Sequence, residues 1–255
     1  TGGSADDTFT VSGIGSISGQ YDGGAHTTGD TVDYSAATGI ISVTLNTDVT
    51  NIENLIGGGA DYYLLADNVA NTWVITAQND GNVGGVTFTD FSNLTGGTNT
   101  DDFTLSGGSV TGTINGGAGS DSLTANNAAN TWNITAADAG NVDSVFAFSS
   151  IENLTGGTGT DAFTLNSASV SGIIDGGAGN DSLAPDNVPN TWNISANDAG
   201  TVTGVGSFTN IENLNGILGN QLLSRFRAFY DYRGGRLMLE PLDRSARGAD
   251  VIRPR

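Results

Sequence analysis

The residues with the clearest chemical potential are aspartates that recur at the end of a glycine-rich turn. The run Gly-Gly-x-Gly-x-Asp-x-apolar-x begins at Gly116, Gly156 and Gly176 with every position matched, and at Gly2 and Gly96 with its third glycine replaced. Glycine permits positive φ and close approach of carbonyl groups, and the aspartate adds a carboxylate. Carbonyl and carboxylate oxygens are the ligands that Ca²⁺ takes. The motif therefore predicts either a calcium site or a metal-free turn whose aspartate accepts backbone N–H groups.

These turns lie in a longer repeat. Asn-Thr-Trp begins at Asn71, Asn130 and Asn190, and Ile-Glu-Asn-Leu begins at Ile151 and Ile211, which gives a period of about 60 residues. Each period divides into three units of about 20 residues, of which the first two carry the glycine turn. Short runs with alternating apolar residues, separated by Gly, Asn, Asp and Thr, are typical of half-buried strands.

A unit of this size cannot bury its own apolar face, whereas stacked units bury it together with their strand edges. We therefore predict an all-β fold, a right-handed parallel β-solenoid (β-helix) of about 20-residue coils. The 20-residue register predicts one apolar column: Ile114, Ile134, Leu154, Ile174, Ile194 and Leu214. A second column is expected to hold Phe103, Leu123, Phe163 and Leu183.

The tryptophans have two interpretations. The same register places Trp132 and Trp192 in a column with Gly112, Glu152, Gly172 and Glu212. A glycine on the neighbouring coil leaves room for an indole ring, which favours a packing role. The alternative is a platform on which carbohydrate rings stack.

The glycine-aspartate motifs resemble the RTX (haemolysin-type) calcium-binding repeats. In that family a Ca²⁺ ion lies between stacked turns at one edge of a β-roll. By this resemblance the metal ligands are Asp101, Asp121, Asp161 and Asp181. The chain departs from the family because it has at most one motif per coil, instead of one every nine residues, and every third coil has none.

Residues 2–215 as a whole are similar to the large repetitive surface adhesins and haemagglutinin-like proteins of Gram-negative bacteria. The phrases that carry this similarity are Asp30–Thr38, Val49–Gly58 and the Asn-Thr-Trp-Asn-Ile runs. The resemblance implies export from a bacterium, an extracellular or cell-surface location, and a stalk, adhesive or matrix role.

Charge marks one boundary near residue 216. Residues 1–215 contain 23 acidic residues and no Lys or Arg, whereas all eight Arg residues lie between Arg225 and Arg255. A body this acidic repels phosphate, so we expect no nucleic-acid partner. No apolar run reaches the roughly 20 residues of a membrane span, so no membrane insertion is expected. We expect no enzyme, because the acids recur in repeating turns and the solenoid has no Lys or Arg base, although a polysaccharide-acting enzyme remains an alternative.

Three segments are predicted: a β-solenoid repeat domain (1–215), a capping or docking helix and β-hairpin (216–241), and a polar basic tail (242–255). Residues 216–241 resemble the C-terminal end of retropepsin-like aspartyl proteases, yet the catalytic Asp-Thr-Gly signature is absent from the chain. The alternation in Phe226–Tyr232, the Gly234-Gly235 turn and Leu237–Leu239 favour the hairpin.

Together these features predict an extracellular structural protein, a stalk or filament-forming subunit. Its expected partner is itself, in a head-to-tail homopolymer joined by solenoid stacking and by the basic C-terminal segment. The alternative is a Ca²⁺-stabilised adhesin segment that binds glycans or the surface of a host or neighbouring cell.

Overall fold

A computed structural model describes residues 1–13, 19–215, 226–231 and 236–241 of the chain. The chain forms two compact units, Thr1–Asn215 and Gly216–Arg255. Every regular element in the described ranges is a β-strand, and these ranges hold no helix long and apolar enough to cross a membrane.

The described residues of the first unit form 23 strands. Those that begin before residue 100 are β1 (Thr8–Gly13), β2 (Tyr21–Asp22), β3 (Thr31–Ala37), β4 (Ile41–Thr44), β5 (Val49–Thr50), β6 (Asn54–Leu65), β7 (Asn71–Ala77), β8 (Asp80–Val83) and β9 (Val86–Gly97). The next are β10 (Asp101–Leu105), β11 (Thr113–Gly117), β12 (Ser122–Thr124), β13 (Thr131–Ala136), β14 (Ala139–Val142), β15 (Phe146–Ser149) and β16 (Asn153–Thr155). The last are β17 (Ala162–Leu165), β18 (Val170–Asp175), β19 (Ser182–Ala184), β20 (Trp192–Ala196), β21 (Ala199–Val202), β22 (Val205–Thr209) and β23 (Asn213–Leu214).

Most of these strands form one large mixed sheet in which two hydrogen-bonded ladders can be followed. The first ladder runs β1–β3–β6–β9–β8–β7–β10–β12–β16–β18–β22–β21–β20. The second runs β4–β6–β9–β11–β15–β14–β13–β17–β19–β23. The long strands β6 and β9 belong to both ladders, while β2 and β5 form a separate parallel pair.

The alternating sequence pattern explains which side chains enter the core. In β10 the burial alternates strictly, with Phe103 and Leu105 inside and Asp102 exposed. Buried side chains of both ladders form one hydrophobic cluster. Burying a large apolar side chain contributes about 1.5–3 kcal/mol. This shared core therefore holds together the successive strands of each ladder, which we call layers.

The fold is all-β and largely parallel, as the sequence predicts, but the 20-residue register holds only in part. Parallel partners lie 20 residues apart at Leu94/Ile114, Phe103/Leu123, Leu154/Ile174 and Phe163/Leu183. The predicted apolar column is wrong at its second member, because Ile134 pairs with Leu165. The second predicted column is interrupted as well. Leu123 pairs with Phe103 on one side, as predicted, but with Leu154 instead of Phe163 on the other.

The third 20-residue segment of each 60-residue sequence repeat is the reason why the 20-residue register is interrupted. The Asn-Thr-Trp strand folds back twice, so that β14 pairs antiparallel with both β13 and β15. The equivalent strands β8 and β21 do the same. The turn that follows β8 has both central residues at positive φ, Gly84 at 57° and Gly85 at 91°. A type I′ hairpin turn requires positive φ at both central residues. The third 20-residue segment is therefore a three-stranded antiparallel meander and not a single parallel strand.

The second unit contains β24 (Phe226–Asp231) and β25 (Arg236–Pro241), which pair antiparallel along their full length. The helix predicted before this pair, its Gly234-Gly235 turn and the polar tail at 242–255 lie outside the described residues.

Candidate functional site: stacked carboxyl groups

The four aspartates predicted as metal ligands are fully buried. Asp101, Asp121, Asp161 and Asp181 each have no exposed surface. Each one stands at or directly before the first residue of a strand, β10, β12, β17 or β19. The glycine turn before each strand delivers the aspartate to the layer interface, where a strand of the next layer begins.

The first two aspartates belong to a chain of hydrogen bonds that crosses four layers. Asn71 N–H donates to Asp101 Oδ1 at 2.9 Å, and Asp101 N–H donates to Asp121 Oδ1 at 2.8 Å. Asp121 N–H in turn donates to Glu152 Oε2 at 2.8 Å. We call these four residues the first carboxyl stack.

The second carboxyl stack repeats this arrangement one period later, and its members are Asn130, Asp161, Asp181 and Glu212. Its three backbone-to-carboxylate bonds all measure 2.7 Å. A shorter stack of Asp7, Asp30 and Glu53 lies near the N-terminal end of the first unit, with bonds of 2.6 and 2.8 Å. In every stack a side chain of one layer caps the backbone of the neighbouring layer. This is the pattern that the metal-free interpretation of the motif predicts.

The asparagine at the base of each complete stack contributes several further bonds. Nδ2 of Asn130 donates to Asp161 Oδ1 at 2.8 Å and to the carbonyl oxygens of Asn126, Ala128 and Gly156. The side chain of Asn71 makes the equivalent set. The asparagine therefore fixes its own turn and the next layer at the same time.

Sequence reasoning missed the asparagine and glutamate members of these stacks. The recurrence of Asn-Thr-Trp and Ile-Glu-Asn-Leu is their sequence signal, but the 20-residue register places Glu152 and Glu212 in the tryptophan column. The structure corrects this, because Glu152 contacts the backbone of Asp121, while Trp132 pairs with Phe163.

The second carboxylate oxygen of each predicted ligand is buried and has no hydrogen-bond partner. This holds for Oδ2 of Asp101, Asp121, Asp161 and Asp181, and also for Oδ2 of Asp30. At Gly116 a Cβ atom would lie 2.5 Å from Asp121 Oδ2, and at Gly96 it would lie 2.5 Å from Asp101 Oδ2. The nearest atoms are backbone carbonyl oxygens, Ser150 O for a Cβ at Gly116 and Gly116 O for one at Gly96, so the motif's first glycine is required by the backbone of the next layer as well as by the carboxylate.

Burial of these carboxyl groups changes their acidity. Desolvation raises the pKa of Asp101, Asp121, Asp161 and Asp181, while the N–H groups that donate to them act in the opposite direction. Desolvation disfavours the charged form of a carboxyl group. The stacks are therefore sites at which either a proton or a cation would relieve the cost of a buried negative charge.

The fit of Ca²⁺ to these residues rests on the unpartnered oxygens. Each turn offers one carboxylate oxygen that is free, because Oδ1 already accepts an N–H group. Ca²⁺ takes six to eight oxygen ligands, so backbone carbonyl groups would have to supply most of the shell. Calcium binding by the four aspartates stays a prediction.

One compact group of metal-binding residue types lies elsewhere. His26, Asp30 and Glu53 have candidate ligand atoms that all lie within 4.8 Å of one another, the one such group among the described residues. His26 Nδ1 is 3.3 Å from Glu53 Oε2 and 3.7 Å from Asp30 Oδ2. The same three groups could hold a metal ion or could simply form a contact between a histidine and two carboxylates. Asp30 Oδ2 is buried without a hydrogen-bond partner, as in the other stack aspartates.

The tryptophans pack in the core. Trp73 and Trp132 have no exposed surface. Each stacks on a phenylalanine of the next layer: Trp73 on Phe103 with centroids 5.2 Å apart, and Trp132 on Phe163 at 5.3 Å. A carbohydrate ring cannot reach either indole, which supports the packing interpretation for these two residues. Trp192 differs, because it is only partly buried.

A groove of about 740 Å³ lies near β5, β7 and β8, with Glu53 and Asp67 as its ionisable lining residues. Glu53 already accepts the N–H of Asp30, so this carboxylate has a structural role in its stack.

Comparisons of the sequence with protein-family models and curated proteins, and of the structure with solved structures, find no match.

Proposed function

We propose that this chain is a structural segment of an extracellular bacterial stalk or filament, whose subunits assemble end to end. In this proposal the two ladders close as a right-handed parallel β-solenoid, and the protein has no enzymatic activity. The observation that carries the proposal is the pair of carboxyl stacks. The most buried acids of the described residues, which are the natural candidates for catalysis or metal binding, cap the backbone of the neighbouring layer.

The repeat supports the same role. The two complete stacks and the two tryptophan–phenylalanine pairs recur one period apart with nearly equal distances. A repeated layer contact can be continued by any further layer of the same sequence. Stability then accumulates with the number of layers, as a stalk requires.

The charge distribution supports a role for the C-terminal segment in assembly. The acidic 1–215 segments of two subunits repel each other. The segment from Arg225 to Arg255, in contrast, contains all eight Arg residues. We propose that this basic segment contacts the acidic surface of a neighbouring subunit. Exposed ion pairs contribute little singly and are screened by salt, so this contact strengthens the assembly and is not its foundation.

The test is sedimentation velocity of the full chain over a wide concentration range at about physiological ionic strength. Assembly predicts species that grow with concentration. A variant with the tail arginines changed to Glu should assemble less, and a matched variant with the same arginines changed to Lys should resemble the parent. A single monomeric species at every concentration would refute the filament proposal.

A calcium-stabilised adhesin segment is the second candidate, favoured by the buried carboxylate oxygens without a partner. In this version Asp101, Asp121, Asp161 and Asp181 hold Ca²⁺, which supplies the positive charge that these buried groups lack. Isothermal titration of the parent with Ca²⁺, beside Asp121→Ala and Asp181→Ala, tests this version. Heat of binding that is reduced in both variants supports it, and no heat in the parent rules it out.

A further inference from the structure

The first unit contains two stacked tryptophan–phenylalanine pairs in its interior, Trp73/Phe103 and Trp132/Phe163. Each end of the unit carries only one partner of such a pair. At the C-terminal end, Trp192 is partly buried and Ile194 is 54 % exposed, whereas their interior equivalents Trp132 and Ile134 have no exposed surface. The interior residues are covered by β17, which pairs in parallel with β13. Among the described residues, β20 pairs only with β21, so no described strand lies along its other edge.

At the N-terminal end the other half of this contact is present. Strand β1 pairs with β3 and with no other described strand. Phe9 of β1 is partly buried, while its equivalents Phe103 and Phe163 are at most 1 % exposed beneath their tryptophans. The sequence Asp7-Thr-Phe-Thr matches Asp101-Asp-Phe-Thr and Asp161-Ala-Phe-Thr, the two segments that cover a tryptophan strand.

The carboxyl stacks are divided between the ends in the same way. The N-terminal stack has Asp7, Asp30 and Glu53 but no asparagine. Asn190 has the turn bonds of the stack asparagines, from its Nδ2 to the carbonyl oxygens of Asp186 and Val188, but no carboxylate of the described residues accepts its backbone N–H. The interior stacks contain all four members.

We propose that β1 of a second copy of this chain docks in parallel on the edge of β20 opposite β21, with Phe9 stacked on Trp192 and Asp7 capping Asn190. The register follows from the interior pairs Phe103/Trp73 and Phe163/Trp132. It places Thr8 beside Thr191, Thr10 beside Asn193 and Val11 beside Ile194. The docked copy completes a third four-membered carboxyl stack. This inference rests on the proposed end-to-end assembly and names the surfaces that form it.

The second ladder offers a matching edge. Strand β23 ends this ladder, with Leu214 37 % exposed, whereas the equivalent Leu154 is buried under Ile174 of β18. The segment Tyr21-Asp22-Gly-Gly of β2 corresponds to Ile174-Asp175-Gly-Gly. Docking therefore places Tyr21 of the second copy beside Leu214, so the second ladder would be followed by the β2–β5 pair of the next copy.

A disulfide cross-link tests the register, because the chain has no cysteine. Neighbouring strands lie about 4.7–4.9 Å apart, within the range of Cα separations of about 4.4–6.8 Å that a disulfide spans. The full-length double variant Thr8→Cys/Thr191→Cys should form a ladder of covalent oligomers under mild oxidation. The matched variant Thr8→Cys/Asn193→Cys, two residues out of register, should form markedly fewer. Equal cross-linking of the two variants overturns the register.

A substitution at the end tests the contact itself. Phe9→Arg places a charge against Trp192 and should weaken association by more than about tenfold. Val145→Arg, at a 53 % exposed turn residue within the chain, is the control and should leave association unchanged. Circular dichroism and thermal melting verify that both variants fold. If Phe9→Arg assembles as the parent does, the inference is wrong.

The two proposals fail differently. If the parent assembles but neither Phe9→Arg nor the in-register cysteines affect the assembly, end-to-end docking through β1 and β20 is wrong while a filament role stands. If the parent is monomeric at every concentration and the in-register cysteines do not cross-link, both proposals are wrong.

Discussion

Buried carboxyl groups in this protein accept backbone N–H groups of the neighbouring layer. Asp121 is an example, because it accepts the N–H of Asp101 and donates its own N–H to Glu152. A hydrogen bond to a charged group contributes about 1.5–3 kcal/mol, and the desolvation of the carboxylate opposes this contribution. The stacks therefore fix the register between layers at a modest net stability.

We predict that removing one acceptor separates these two effects. Asp121→Ala leaves the buried N–H of Asp101 without a partner and should lower the free energy of unfolding by about 1–3 kcal/mol. Asp121→Asn keeps the Oδ1 acceptor without the charge and should cost less, or stabilise the protein. Chemical denaturation of both variants at neutral pH measures the difference, and an equal loss in both would contradict a hydrogen-bonding role for Oδ1.

We predict that mild acid stabilises the fold. Burial raises the pKa of Asp101, Asp121, Asp161 and Asp181 in the folded state. The folded protein then binds protons more tightly than the unfolded chain, whose aspartates titrate near pH 3.9. The contribution of these four groups to stability is therefore greatest at low pH and declines as the pH rises through their folded pKa values.

Thermal melting from about pH 4 to pH 7 measures this dependence. The double variant Asp121→Asn/Asp181→Asn should show a flatter curve than the parent. Asp61→Asn is the control, because Asp61 is exposed and its replacement also makes the net charge less negative. A flat melting curve in the parent would show that the stacks do not titrate as described.

At the level of elements, the layers are joined by stacked aromatic rings as well as by strands. Trp132 is buried against Phe163 of the next layer and Phe148 of its own meander. We predict that Trp132→Ala lowers the free energy of unfolding by about 3–5 kcal/mol. Trp192→Ala should cost clearly less in dilute protein, because Trp192 lacks the stacked partner and is partly exposed. Chemical denaturation at low protein concentration compares the two, and equal losses would contradict the described ends.

The meander turns give an independent prediction. Asp143 and Ser144 form the turn between β14 and β15 with φ of 51° and 55°. The left-handed conformation disfavours residues other than glycine by about 1–2 kcal/mol, and the equivalent turn of the preceding repeat is Gly84-Gly85. Ser144→Gly should therefore raise the free energy of unfolding, by up to about 1 kcal/mol. A loss of stability on denaturation would argue against a type I′ turn here.

These elements show how far the sequence leads. Alternation and turn residues predicted strands and a largely parallel sheet, because a period of two residues is a local signal. The meander was missed because Asn-Thr-Trp-Asn-Ile reads as one more coil strand, and only its pairing direction reveals the hairpin. Glycine pairs such as Gly84-Gly85 carry the type I′ signal, but the equivalent Asp143-Ser144 conceals it.

The candidate site was partly predictable for a similar reason. The motif identified the buried aspartates and offered a metal-free turn as one of two interpretations. It did not identify Asn71, Glu152 or Glu212, because their partners lie about 30 residues away in sequence. The sequence separation of such contacts depends on the length of the meander. The 20-residue register treats the meander as one more strand and therefore predicts the wrong separation.

On the scale of the whole molecule, charge opposes the assembly that the repeat favours. The net charge is −19, so subunits brought end to end repel one another through water. Screening weakens this repulsion beyond about 8 Å at physiological ionic strength. We predict that assembly of the parent is weak at low salt and increases with added NaCl, as measured by sedimentation. Assembly that weakens steadily with salt would instead favour contacts made mainly by the basic segment.

We propose that the layers stack continuously, within the chain and from one copy to the next. Diffraction from aligned assemblies, or the averaged power spectrum of their electron micrographs, measures the spacing of the layers. Continuous stacking predicts a strong reflection near 4.8 Å along the long axis, the spacing of hydrogen-bonded strands, in the parent and not in Phe9→Arg. Long assemblies of the parent without that axial reflection would contradict it.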